Sequence, residues 1–200
     1  MTETVSRDIP SIEHSIESTR PEDYRTVTER YYTKYYCLDE DRERRHDILV
    51  LNHSNRICLI TLAPTHPVIA RGLKITKVNF EVSKKTDRKS NKTSGKSKKG
   101  GQTLEHTSIL AIVETETENF PVKVSFNFLS CHSYFENVSL QAVVPGKLIC
   151  INQELVSSPQ KLQTHTDSEG HIAIILPAKG QYESVKGYLV NSEDFEKLQI

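Results

Sequence analysis

Apolar positions along the chain gather into short β-branched runs rather than long helical repeats. Ile48 to Leu51 and Ile57 to Leu62 are two such runs, separated by the turn-forming Asn52-His-Ser-Asn55, and they predict strands joined by a tight loop. Gly72 precedes a third, Ile75 to Val82, with Ile75, Val78, Phe80 and Val82, and Thr107 to Val113 predicts another. Val122, Val124, Phe126 and Phe128 alternate with Lys123, Ser125 and Asn127, the period of a half-buried strand. Leu140 to Val144, Lys147 to Ile151 and His171 to Leu176 follow, punctuated by Pro145-Gly146, Ser158-Pro159 and Gly170. The pattern is that of a mainly β protein.

Helical signals are confined to the two ends of this region. Thr26-x-x-Glu29 has the spacing of a capping box, and Tyr31, Tyr32, Tyr35 and Tyr36 follow at positions compatible with one helical face. The expectation is a short helix bearing a tyrosine stripe, packed on a sheet or offered to a partner. Near the C-terminus Ser192 is placed to cap a helix over Glu193 to Leu198, with acids in its first turn. Residues 1–24 carry acids, hydroxyls and prolines with few large apolar groups, and the expectation there is a disordered tail.

The charge balance changes this picture at one place. The 200 residues hold 26 basic and 26 acidic side chains, so the formal charge is zero. Between Lys84 and Lys99, however, Lys84, Lys85, Arg88, Lys89, Lys92, Lys96, Lys98 and Lys99 face the single acid Asp87, a net +7, which leaves the rest of the chain at −7. With Gly95, Gly100 and Gly101 alongside, residues 84–101 read as a flexible basic loop inserted in the domain. Three readings follow from its chemistry: a solvated loop, a surface for an acidic protein or polyanion, or a nuclear import signal. Lys84-Lys85 followed after ten residues by Lys96-Ser-Lys98-Lys99 has the bipartite spacing that an import receptor reads. RNA bound by such a segment would be held through its phosphates, without sequence preference.

Catalytic and metal chemistry finds little footing. Ser90 to Ser97 comes within one residue of a phosphate-binding loop, but Ser90 stands where glycine is required, and Gly100-Gly101 would break the helix that must follow. Cys131-His132 and the pair His165 and His171 lack the spacing of zinc ligands. No nucleophile elbow is present, and we expect neither an enzyme nor a bound cofactor. The four cysteines form no Cys-x-x-Cys pair, and Cys58 and Cys150 lie in apolar runs as small buried hydrophobes. Together with a polar N-terminus, this favours a reducing nuclear or cytosolic compartment over secretion. The Asn-x-Ser/Thr triplets at Asn52, Asn91 and Asn137 are then chance matches. No apolar run approaches the length of a membrane-spanning helix.

Two stretches carry a resemblance to known proteins. Pro145-Gly146-Lys-Leu-Ile-Cys-Ile-Asn152-Gln-Glu154-Leu155, Pro159 and Gly170-His-Ile-Ala-Ile resemble the part of glycine cleavage H-proteins that follows their lipoyl site. Tyr188-Leu-Val-Asn-Ser-Glu-Asp-Phe195-Glu-Lys-Leu198 resembles their last helix. The resemblance implies a barrel-sandwich hybrid over residues 25–200, two small sheets face to face with short flanking helices. The position matching the lipoylated lysine lies near Phe135, and no lysine occurs between Lys123 and Lys147, which implies that the carrier function is lost. Glu81-Val-Ser-Lys84 only faintly echoes the lipoyl-site wording.

Within the same superfamily the chain more closely resembles the actin-binding transcription modulators. The likeness rests on Val27-Thr-Glu-Arg30-Tyr31-Tyr-Thr-Lys34-Tyr35-Tyr36, on His53-Ser54-Asn55-Arg56-Ile57-Cys58-Leu-Ile-Thr61-Leu62-Ala63 through His66-Pro67-Val68, and on Asn91-Lys92-Thr-Ser94-Gly95-Lys96-Ser-Lys98-Lys99-Gly100. The His53 to Cys58 string is the most specific, because no general folding rule demands it. This resemblance implies a non-enzymatic protein that binds actin monomers and filaments and influences polymerisation and cell-edge shape. It further implies a cytoplasmic pool in actin-rich cell projections and a nuclear pool in speckles. The eight basic residues of the loop are the expected contact with actin on charge alone.

Overall fold

The computed structural model describes residues 25–39, 45–96, 98–105, 108–116, 119–121, 144–178, 180, 183, 186–187 and 189–198. The expected tail over 1–24, the strand over 122–128, most of the strand at 140–144, Phe135 and the Cys131-His132 pair lie outside them.

Helix α1 (Val27–Tyr31) begins at the capping box expected from the sequence. The Thr26 hydroxyl accepts from the Glu29 amide at 3.2 Å and the Glu29 carboxylate from the Thr26 amide at 2.8 Å. The chain then turns extended at Tyr32 and runs as β1 (Tyr32–Cys37). The tyrosine stripe is therefore not helical: only Tyr31 is on α1, and Tyr32, Tyr35 and Tyr36 belong to the strand. Spacings of one, four and five residues make a helical stripe, whereas in the strand Tyr32 and Tyr36 face one side and Tyr35 the other; pairing along β2 (Ile48–His53), from Tyr32 opposite His53 to Cys37 opposite Ile48, decides for the strand. Aromatic residues favour that choice.

A seven-stranded antiparallel sheet has the order β12-β1-β2-β3-β11-β10-β7. Its remaining members are β3 (Cys58–Leu62), β7 (Thr103–Leu104), β10 (Gly146–Ile151), β11 (Ala173–Pro177) and β12 (Val190–Asn191). A second sheet joins β4 (Ile75–Asn79), β8 (Ile112–Thr115) and β9 (Asn119–Pro121), and β5 (Glu81–Ser83) pairs with β6 (Thr86–Asp87) as a hairpin. Short helices α2 (Pro67–Ala70), α3 (Glu154–Ser157), α4 (Lys161–Thr164) and α5 (Ser192–Lys197) fill the connections. Among the described residues no helix is long and apolar enough to cross a membrane.

One core lies between the two sheets. Ile48, Val50, Ile60 and Leu62 from the large sheet meet Ile75, Val78 and Val113 from the small one, the sandwich that the resemblance implied. The opposite face of the large sheet is also covered: Leu49, Leu51 and Leu59 cluster with Phe195 of α5, whose ring lies parallel to that of Tyr36 with centroids 3.6 Å apart. Strands buried on both faces need continuous apolar runs rather than alternation, as Ile48 to Leu51 has.

Several boundaries differ from those expected. The Ile75 to Val82 run breaks at Phe80, which is wholly buried while Asn79 Oδ1 accepts from the Glu81 amide. The strand anticipated over 107–113 starts only at Ile112. Asn191, not Ser192, caps α5, its Oδ1 accepting from the Asp194 amide at 2.9 Å. Cys37 and Cys58 are buried, and burial pushes both thiols up to about 12. Cys150 is exposed, because a register shift between Leu148 and Cys150 interrupts the alternation of β10.

Candidate functional site

The basic segment grows out of the β5–β6 hairpin and is tied down at its base. Lys84 and Lys85 occupy the hairpin turn and are exposed. Arg88, immediately after β6, is turned inward and only 7% exposed. Its Nε donates to the Ile109 carbonyl at 2.9 Å and its Nη1 to Gln102 Oε1 at 2.6 Å. Arg88 thus departs from the surface cation that its place in the segment suggested, and its guanidinium holds the fold.

Asn91 is the second tie. Its Nδ2 donates to the carbonyls of Leu148 and Ile149 on β10 at 3.0 and 3.1 Å, and its Oδ1 accepts from the Gln102 amide at 2.8 Å. Gln102 Nε2 donates in turn to the Asp87 carbonyl at 2.9 Å. Beyond Asn91 the chain folds into a small loop closed by reciprocal backbone bonds of 2.9 Å between Ser94 and Lys99. Lys92, Lys96 and Lys99 are exposed on it, and Lys98 is half-buried. Lys89 pairs with Glu81 at 3.6 Å. Among the described residues the other lysines of the segment have no ion pair, so their charge is offered to solvent or to a partner.

Sequence inspection identified the lysines but missed Asn91 and Gln102 as their anchors. The Asn91-Lys-Thr triplet looks like a glycosylation pattern, yet here the Asn91 amide bridges two carbonyls, and Asn52 of the other described triplet is buried. Replacing Arg88 by methionine should cost about 2 kcal/mol, since the Ile109 carbonyl and Gln102 Oε1 would lose a charged donor. Urea denaturation should show a lowered midpoint, and an unchanged midpoint would mean that Arg88 does not anchor the segment.

Other candidate chemistry stays apart. His165 Nδ1 lies 2.7 Å from Thr164 Oγ1 and His171 Nδ1 lies 3.0 Å from the Ser168 carbonyl. Among the described residues no group of three or more His, Cys, Asp or Glu could hold a metal. A cleft lined by Leu38, Asp39, Arg45, Asp47, Thr65 and Phe195 contains two carboxylates. Both are engaged in holding the chain around it: Asp47 accepts from the Asp39 amide and the Thr65 hydroxyl, and Asp39 from the His46 amide.

No protein-family model matches the chain. Protein Abitram of Danio rerio is 34% identical to it over 174 residues, covering 86% of this chain and 88% of its own length. Protein Abitram of Drosophila melanogaster is 35% identical over 176 residues, 88% of this chain and 71% of the relative. That of Homo sapiens is 31% identical over 178 residues, with 88% and 87% covered. The chain belongs to the Abitram family. Among solved structures, a glycine cleavage system H protein from Mycobacterium marinum superposes with a TM-score of 0.46 at 12% identity, covering 82% of this chain and 95% of the other. For this chain, the family recognised in the sequence and the mainly β fold expected of it both stand, while the contact surface is a matter of geometry and charge.

Proposed function

We propose that this member of the Abitram family is a non-enzymatic actin-binding protein, modulating polymerisation and cell-edge shape, with a second pool in the nucleus. The observation that carries the reading is a set of seven lysines, Lys84, Lys85, Lys89, Lys92, Lys96, Lys98 and Lys99, displayed from a base that Arg88, Asn91 and Gln102 fix to the sheet. An acidic filament surface attracts such a cluster, and at physiological salt the attraction reaches about 8 Å before screening removes it. Fixing the base lowers the ordering cost on binding relative to a free tail. The same lysine clusters at 84–85 and 96–99 serve as the import signal that supplies the nuclear pool, and residence in speckles and in cell projections belongs to the same proposal.

The test is co-sedimentation with actin filaments at low and physiological salt, comparing the natural chain with one whose seven lysines are glutamine and whose Arg88 is intact. Binding should weaken by about tenfold or more in the variant, and the steep salt dependence should disappear with it. Equal pelleting of the two proteins would remove the basic segment from the contact. No pelleting of either, with salt-sensitive binding to RNA of any sequence, would replace actin by nucleic acid as the partner.

A further inference from the structure

The string His53-Ser-Asn-Arg-Ile-Cys58 forms the turn between β2 and β3, and most of its side chains have work within the fold. The Cys58 thiol is buried. His53 Nδ1 accepts from the Asn55 amide and Asn55 Oδ1 from the Ile57 amide, both at 3.1 Å. Of the two exposed residues left over, Ser54 and Arg56, Arg56 is the charged one. Its side chain is exposed, and among the described residues its guanidinium has no hydrogen-bond or ion-pair partner.

Arg56 also stands where its backbone disfavours it. The Arg56 amide donates to the His53 carbonyl at 2.8 Å, and the His53 amide to the Ile57 carbonyl at 3.0 Å. This is the hairpin in which the residue closing the turn becomes left-handed, and Arg56 has φ +73°. Glycine or asparagine fits that position more easily than arginine does. A strained residue with no structural task for its side chain points to a task outside the fold.

The surroundings indicate what Arg56 would meet. The His53 ring stacks on Tyr31 of α1 with centroids 6.3 Å apart, and Tyr32 meets it edge-on at 5.1 Å. Helix α1 exposes Val27 by 65% and Tyr31 by 57%, one turn apart on the same side. The helix is held in place as well as capped, since the Thr28 hydroxyl donates to the Asp167 carbonyl at 2.6 Å. Arg25 and Arg30 flank these apolar groups in the chain and are exposed, Arg30 Nε donating to the Arg25 carbonyl at 2.9 Å, and the acid of α1, Glu29, is engaged at the Thr26 amide.

We infer that the Val27–Tyr31–His53–Arg56 corner is a docking surface for an acidic protein segment that also carries apolar side chains. Carboxylates satisfy Arg56 in bidentate geometry, the exposed Arg25 and Arg30 add positive charge along α1, and apolar side chains cover Val27 and Tyr31. A nucleic-acid strand would meet the arginines and stack on Tyr31, but it would leave Val27 against water. Exposed tyrosine and arginine on a rigid support are also the residue types that dominate protein interfaces.

The experiment uses the full chain and fluorescence anisotropy with three labelled probes: a Glu/Leu peptide, a charge-matched Glu/Ser peptide and an oligothymidylate of equal charge. The Glu/Leu peptide should bind tightest. Arg56→Gly should weaken it about tenfold while leaving the melting temperature equal or higher, because glycine relieves the left-handed position. Tyr31→Ser should weaken it too, whereas the seven-lysine variant should retain most of it. This surface and the proposed actin contact therefore fail independently. Unchanged binding in Arg56→Gly, preference for the oligothymidylate, or no binding of the Glu/Leu peptide would each overturn the inference.

Discussion

Replacing Gly146 by alanine should destabilise the domain by about 3 kcal/mol, near the upper end for an overpacked core. Gly146 opens β10 and is paired on both sides, with Pro177 of β11 and Leu104 of β7. A Cβ at this residue would lie 2.3 Å from the Leu176 carbonyl oxygen and 2.8 Å from both Leu176 C and Pro177 Cα. All three are backbone atoms, so no side-chain rotation relieves the clash and the strands must part. The cost would spread, because Leu104 and Leu148 beside it are both almost wholly buried. It would also reach the basic segment, since Asn91 grips the carbonyls of Leu148 and Ile149.

Urea denaturation checks this, with Gly72→Ala as the contrast. Gly72 has φ +61° and nothing within 4 Å of the place a methyl group would take, so its substitution should cost only about 1 kcal/mol of backbone strain. Equal midpoints for the two variants would mean that β10 and β11 do not approach as closely as described. Weakened filament pelleting by Gly146→Ala, under conditions where the protein remains folded, would in turn tie the anchoring of the lysines to their function.

What was legible in the sequence divides along physical lines. Local signals with a single reading survived: the Thr26–Glu29 capping box, the turn after Asn52, and the β-branched runs of β2 and β3. The tyrosine segment reads as helical because its spacing makes a stripe at 3.6 residues per turn, and only the ladder to β2, formed by residues more than ten positions away, reveals a strand with tyrosines on both faces. Cys150 was misread because a bulge in β10 cannot be seen in an apolar run. At the candidate site, charge density located the lysines, which are defined by composition. Charge could not distinguish Arg88, whose role depends on Gln102 and Ile109, 14 and 21 residues further on. Arg56 was legible only as part of an unusual string, and its left-handed backbone had to be seen before the string acquired a physical meaning.

Acidification should weaken the fold through His66. The residue is wholly buried at the start of α2, where its Nδ1 accepts from the Val68 amide at 3.2 Å, so the neutral ring carries its proton on Nε2. Its neighbour across the core edge is His46, with ring centroids 5.5 Å apart, and His46 in turn lies 3.6 Å from Asp39. Burial first, and the charge of His46 second, hold His66 down to about 3, against an ordinary value of 6.5. The unfolded chain therefore binds this proton more readily than the folded one between those limits. Stability from this group is complete above pH 6.5, falls as pH drops, and levels off near pH 3. The loss should be about 2 kcal/mol between pH 7 and pH 5 and about 4 kcal/mol by pH 3. Protonation also removes the acceptor that caps α2, a helix whose carbonyl at Val68 is held by Gln163 Nε2 at 2.7 Å. His66→Asn separates this effect from other acids, because asparagine caps well and does not titrate. Its denaturation curves should lose most of the decline between pH 7 and pH 5, and parallel pH profiles for the two proteins would show that His66 is not the group that protons attack.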